Sequence, residues 1–188
     1  METTMRKLKL QVQMTVDGFI SGPNGEMDWL TFNWDDALKN YVTALTEPVD
    51  CIVLGRKLAQ GFIPHWAANP QEEGATKING TKKVVFTKTL DESDWANTIL
   101  AKGDLADEIN KLKHEGGQDI IVYGGGTFVS ALIKQGLIDE FHLFINPVAI
   151  CNGMPIFREL DTKQGLTLIK ATSFSCGLTV LHYEPKRS

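Results

Sequence analysis

Hydrophobic and polar positions along the chain sort into short strands and amphipathic helices. Leu8, Leu10, Val12 and Met14 alternate with polar residues, which predicts a strand. A loop dense in turn formers follows, from Asp17 to Gly25, and then Leu38, Tyr41, Val42 and Leu45 fall at helical spacing within Ala37 to Thr46. Either Asp35 or Asp36 is suited to cap that helix. Cys51 to Leu54 reads as a short buried strand that ends in Gly55-Arg56-Lys57 and a helix onward to Phe62. Pro64 to Lys82 has no clear period and is expected to be an irregular surface excursion. Val84 to Phe86 makes another strand, a weaker one lies near Thr98 to Leu100, and a helix over Asp104 to His114 is closed by Gly116-Gly117. The apolar run Ile120 to Tyr123 stops at Gly124-Gly125-Gly126. Thr127 opens a helix carrying Phe128, Leu132 and Ile133, and Leu137 to Ile145 returns as a strand. Leu166 to Phe174 and Leu178 to Tyr183 flank Cys176-Gly177 as a terminal hairpin. This order predicts an α/β fold, mainly parallel with an antiparallel edge, in a single domain over residues 1–188.

Bulk properties narrow the function. The net charge of -4, the pI near 5.6 and the lack of a basic run argue against a nucleic-acid partner. No apolar stretch approaches the roughly 18 residues of a membrane helix. The first residues lack the apolar core of a signal peptide, so a cytoplasmic protein without a membrane partner is expected. Cys51, Cys151 and Cys176 are odd in number and far apart, and read as reduced, mostly buried thiols. No CxxC pair occurs, and His65, His114, His142 and His182 show no ligand spacing along the chain, so no metal is expected. His142 alternates with Phe141 and Leu143 and is read as a solvated strand residue.

Three predicted strands end in residues suited to a ligand: Leu54 into Gly55, Arg56 and Lys57; Phe86 into Thr87 and Lys88; Tyr123 into Gly124, Gly125, Gly126 and Thr127. In an open α/β sheet ligands bind beyond the carboxyl ends of strands. Bare glycine backbone at a helix start admits a phosphate, and the cations suit a second one. Each feature alone is equally a tight turn or a solvated surface cation; the coincidence at three strand ends favours a phosphate-bearing cofactor. The glycines fit neither a GxGxxG fingerprint, because Val129 stands where its third glycine belongs, nor a P-loop.

The motifs Thr15 to Ile20, Leu54 to Lys57, Val85 to Lys88, Tyr123 to Thr127, Ile138 to Glu140, Asn146-Pro147 and Asn152-Gly153 together resemble the dihydrofolate reductase superfamily, and within it the riboflavin-biosynthesis reductase branch. The resemblance runs from about Leu8 to Tyr183. It implies a three-layer fold around an eight-stranded, mostly parallel sheet with a C-terminal antiparallel hairpin. It implies NADPH as cofactor, with Gly55, Arg56 and Lys57 at its phosphates and Thr87 and Lys88 selecting the 2′-phosphate. Gly124 and Gly125, joined by a cis peptide, would lie beside the nicotinamide together with Gln13 and Ile20, and the loop from Asp17 to Trp29 would act as a lid.

On the substrate side the resemblance places a carboxylate at Asp35 or Asp36. Under a lid such a group has its pKa raised and assists proton delivery; the same residues read equally well as a helix cap. The folate-gripping arginine is replaced near Thr81, and the threonine partner of the carboxylate becomes Phe144. These departures favour a small heterocycle, pterin-like or resembling 5-amino-6-(5-phosphoribosylamino)uracil, over dihydrofolate. Dihydrofolate reductase proper and a non-catalytic NADP-binding module remain the alternatives. Trp29, Trp34 and Trp66 flank this region in sequence and suit either a wall for a flat ring or satellite core. The apolar irregular stretch from Asn146 to Phe157 is read as a homodimer surface or an intramolecular cover.

Overall fold

Strand β1 (Leu8–Thr15) occupies the middle of the molecule, and both of its faces are covered. Leu8, Leu10, Val12 and Met14 are buried on one side, and Lys9 and Gln11 are buried on the other. An alternating pattern normally marks a half-exposed strand, but a central parallel strand has helices on both sides. The computed structural model describes residues 5–186.

The remaining elements in chain order are α1 (Asp36–Thr46), β2 (Val49–Gly55), α2 (Arg56–Ala68), α3 (Ala75–Gly80), β3 (Lys82–Phe86), β4 (Thr98–Ala101), α4 (Leu105–His114), β5 (Asp119–Val122), α5 (Gly126–Lys134), β6 (Glu140–Asn146), β7 (Leu166–Ser173) and β8 (Thr179–Pro185). The eight strands form one sheet in the order β4-β3-β2-β5-β1-β6-β8-β7. The first six of these positions are mutually parallel, whereas β8 runs antiparallel to both β6 and β7. This is the α/β architecture expected from the sequence, including the closing hairpin, whose turn has Gly177 at φ +94°.

Helices cover both faces. The alternate residues Leu8, Leu10, Val53, Val122 and Phe141 pack against Ile109 and Leu112 of α4 and Val129, Leu132 and Ile133 of α5. On the opposite face, Ile52, Leu54, Val85 and Ile121 meet Ala59 and Ile63 of α2, and Phe144 and Val180 meet Leu38 and Leu45 of α1.

Three expectations change. The stretch after Phe62 is largely helical: α2 continues through Pro64 to Ala68, and α3 follows. Proline lacks one donor and is normally costly within a helix; here tertiary packing decides, with Ile63 buried and Phe62 stacked on Tyr123 at 5.4 Å. Strand β6 begins at Glu140, because Gly136 (φ +65°) ends α5 and Leu137 folds back, its N–H donating to Leu132 O at 3.0 Å. His142 is buried under α1 with its Nδ1 3.0 Å from the Tyr41 hydroxyl, since this face of the sheet is also covered. Of the thiols, Cys51 is buried and its pKa is pushed up to about 11 by burial, whereas Cys151 is exposed. No described helix is long and apolar enough to cross a membrane.

Candidate active site

Because β1 to β6 are parallel, their carboxyl ends share one rim of the sheet. In spatial order the rim presents Thr87 and Lys88 after β3, Gly55 to Lys57 after β2, Tyr123 to Thr127 after β5, the long loop after β1, and Asn146 after β6. From β3 to β1 is three strand spacings, or roughly 14 Å.

Side-chain packing ties these tips together. A Cβ on Gly55 would stand 2.9 Å from Cβ of Phe128, in the first turn of α5. The Phe128 ring lies 5.2 Å from that of Phe86 at the end of β3. Gly125 faces Leu58 of α2 and Phe128, at 3.7 and 3.8 Å from where its Cβ would be. Gly126 faces Met154, which leaves only 2.4 Å for a Cβ, and Ile20 at 3.5 Å. The glycine triplet, Gly55 and Ile20 are therefore neighbours. Packing against Met154 by itself accounts for a glycine at position 126.

No peptide bond among the described residues is cis, so the Gly124–Gly125 bond is trans. The chain turns there through positive φ at both residues, 147° and 85°, conformations that glycine alone adopts freely.

Two helices start at this rim without a side-chain cap: α2 behind Gly55 and α5 behind Gly125. The others that start from strand-to-helix connections do carry one. Asp35 caps α1 through Leu38 N, and Asp104 caps α4 through the N–H groups of Ala106 and Asp107. Since β2 and β5 are adjacent, the two uncapped N-termini lie side by side, with Arg56 and Lys57 on the first turn of α2. Free N–H groups and the positive end of each helix dipole make this pair suited to anionic oxygens.

The other expected residues are placed as follows. Lys57, Lys88 and Thr127 are exposed, and Arg56 is half-buried with its Nη1 3.2 Å from Gln60 Oε1. Thr87 is buried, and its hydroxyl accepts from Thr89 N and Leu90 N, shaping the turn that presents Lys88. Gln13 Oε1 accepts from Asn146 Nδ2 at 2.9 Å, close beneath the rim. An unforeseen cation, Arg158, donates to Thr127 Oγ1 at 3.1 Å beside the start of α5. Its distance along the chain hides it from any local motif.

The loop after β1 is fastened at its base. Ile20 N donates to Met154 O, Met154 N donates to Ser21 O, and Phe19 bridges Pro155. Asp17 accepts from the N–H groups of Ile150 and Cys151, while Thr15 and these backbone donors hold its carboxyl below the usual carboxylate range. Thr31 N donates to Asn146 Oδ1 at the far end of the loop. Between these ties, residues 23–28 are exposed. Within the stretch from Asn146 to Phe157, Ile156 is buried and its carbonyl accepts from Ser130 Oγ, whereas Pro147, Ala149, Cys151 and Asn152 are exposed.

On the substrate side Asp35 takes the helix-cap reading. Asp35 accepts from Leu38 N at 2.8 Å, Ser175 Oγ at 2.6 Å and Cys176 N at 3.2 Å. Ser175 foremost, then Leu38, lowers its pKa, so the ionised form is held rather than a proton. Asp36 is the exposed first residue of α1. Phe144 is fully buried and stacks on Trp34 at 6.4 Å, whose Nε1 donates to Thr31 O. Trp66 sits near the far end of α2, 6.0 Å from Phe62 and remote from the rim.

Known proteins agree with this fold. The RibD C-terminal domain family matches residues 6–180. The chain belongs to that family. It is 34% identical over 182 residues to the uncharacterized protein YyaP of Bacillus subtilis (strain 168), covering 95% of this chain and 94% of that protein. Among solved structures, a protein of Shewanella sp. PV-4 superposes with a TM-score of 0.75 at 25% identity, over 96% of this chain and 99% of that one. The diaminohydroxyphosphoribosylaminopyrimidine deaminase/5-amino-6-(5-phosphoribosylamino)uracil reductase of Thermotoga maritima shares the fold with a TM-score of 0.71 at 16% identity. The match covers 97% of this chain and 57% of that longer one.

Proposed function

We propose that this RibD-family chain is an NADPH-dependent reductase acting on a small heterocycle, pterin-like or resembling 5-amino-6-(5-phosphoribosylamino)uracil. The observation that carries the reading is the pair of uncapped helix N-termini, α2 and α5, at adjacent strand ends. They suit a pyrophosphate, with Arg56 and Lys57 beside them. One strand further out, Lys88 is the residue to meet a 2′-phosphate. At the other end of the rim, Gly124, Gly125, Gln13 and Ile20 line the place for the nicotinamide.

When bound, the nicotinamide supplies hydride; the protein orients it and excludes water. The buried Ile20 and the half-buried Met154, both beside Gly126, present an apolar floor, and the loop after β1 shields the reacting ring. Asp35 is tied up in capping, so in this reading it orients α1 and is not the proton source. The same tie favours a second reading, a module that binds NADP without turnover.

Calorimetric titration with NADPH tests the binding claim, and loss of reduced-nicotinamide absorbance with candidate pyrimidines and pterins tests turnover. Binding with turnover supports the reductase, binding alone supports the module, and no binding to either pyridine nucleotide overturns both.

A further inference from the structure

Away from the rim, on the sheet face beneath α1, lies a cluster that the reductase reading does not use. Glu140 and His142 project from β6 and His182 from β8, where His142 and His182 are direct cross-strand partners. Their imidazoles stack with centroids 4.2 Å apart and planes inclined by 19°. Glu140 Oε2 lies 3.2 Å from His142 Nε2 and 3.7 Å from His182 Nε2. Each side chain offers one ligand atom, and all three atoms lie within 4.8 Å of one another.

The shorter separation is a hydrogen bond; the longer one is not. Around a tetrahedral ion with ligand bonds of about 2.0–2.2 Å, adjacent donor atoms stand roughly 3.3–3.5 Å apart. The two distances bracket that edge length.

A second observation points the same way. His182 Nε2 is buried with no hydrogen-bond partner, although it is the atom turned toward Glu140. Gln11 pairs with His142 across the β1–β6 ladder on the same face, and its buried Oε1 also has no partner. Buried polar atoms are normally satisfied, and here two unpartnered ones occur in a single row of the sheet.

We propose that Glu140 Oε2, His142 Nε2 and His182 Nε2 bind a late first-row divalent cation of the Zn2+ type. The ligand set of two imidazoles and one carboxylate suits Zn2+ and its neighbours rather than Mg2+ or Ca2+, which prefer all-oxygen shells. Tyr41 on α1 meets His142 Nδ1 at 3.0 Å, and such an outer partner fixes the ring with Nε2 facing the ion. Lys7 contacts the other carboxylate oxygen, Glu140 Oε1, at 2.7 Å, leaving Oε2 available. The half-exposed Lys7 and the neighbouring Glu184 mark the solvent side from which an ion enters. His142 lies four residues below Asn146, roughly 13 Å from the rim, so the ion would clamp β6 to β8, where the parallel sheet turns antiparallel.

The test uses full-length protein dialysed against a chelator and titrated with ZnCl2 by calorimetry, with melting followed in parallel. One saturable site and a raised Tm are expected for the unaltered chain, with no matching response to MgCl2. Co2+ should give the intense visible bands of a four-coordinate ion. His182→Ala and Glu140→Gln should abolish the saturable event, and Tyr41→Phe should weaken it about 10–100-fold. His182→Ala alters a partly exposed position and is expected to melt cooperatively without metal, which separates lost binding from lost folding. Absence of a saturable site in the unaltered chain overturns the proposal. So does Zn2+ binding that survives His182→Ala, which would place the ion elsewhere, as at the exposed His65–Glu72 pair.

Discussion

Asn146 donates its side-chain amide to Gln13 Oε1 at 2.9 Å across the β1–β6 ladder, while its own Oδ1 accepts from Thr31 N at 3.0 Å. One fully buried amide at the end of β6 thus joins the central strand to the far end of the loop that follows it. Replacing it leaves Gln13 and the Thr31 N–H without that partner. Asn146→Ala is expected to lower stability by about 1–3 kcal/mol in urea unfolding and to raise KM for NADPH. Unchanged kinetics would mean that the tie does not position the loop.

Lys88 stands at the end of β3, one strand beyond the paired helix starts. As the proposed 2′-phosphate ligand, its replacement by alanine should weaken NADPH binding about 10–100-fold, the value of a charge-assisted hydrogen bond. NADH binding should be unaffected. Equal losses for the two nucleotides in parallel titrations would remove Lys88 from that role.

Gly126 and Met154 are complementary in shape, with 2.4 Å between Met154 Cγ and the position of a Cβ on the glycine. Gly126→Ala should cost about 1–3 kcal/mol, as overpacking does. Combining it with Met154→Ala should recover part of that loss, giving a coupling of about 0.5–3 kcal/mol in a double-mutant cycle. Strictly additive costs would show that the two residues do not constrain one another.

Asp35 gives a pH prediction with a defined sign. Its folded pKa is lowered from the ordinary 3.8 by Ser175, Leu38 and Cys176. The stabilisation is therefore fully present above the unfolded value and fades as pH falls through the lower folded value. Asp35→Asn keeps a capping oxygen but loses the charge, so its melting temperature should fall less steeply with acidification than that of the unaltered chain. Turnover at neutral pH should persist; loss of about 10²–10⁴ in kcat would instead identify Asp35 as the proton donor.

Much of the fold was legible because strand ends and helix starts carry local marks. The abrupt stop of Ile120 to Tyr123 at three glycines located β5 and α5, and the run into Gly55 located β2 and α2. Features formed across the sheet left no such mark. Asp35 meets Ser175 from the β7–β8 turn, 140 residues away. His142 and His182 meet only through antiparallel pairing, which turns histidines with no ligand spacing into a cluster with Glu140. Lys9 and Gln11 look solvent-facing by alternation, yet the helical layer above them makes them interior. Pro64 argued against helix locally and was overruled by the packing of Ile63 and Phe62.

The placement of β1 has a consequence for how the chain is made. Leu8 pairs with Ile120 and Lys9 with Glu140, so β1, made before every other strand of this sheet, finds neither neighbour until more than a hundred further residues have followed. At about 5–20 residues per second, that is a wait of roughly 6–22 s. The sheet therefore closes around its oldest strand late in synthesis, and the exposed apolar face of the nascent β1 must be kept from other partners in the meantime.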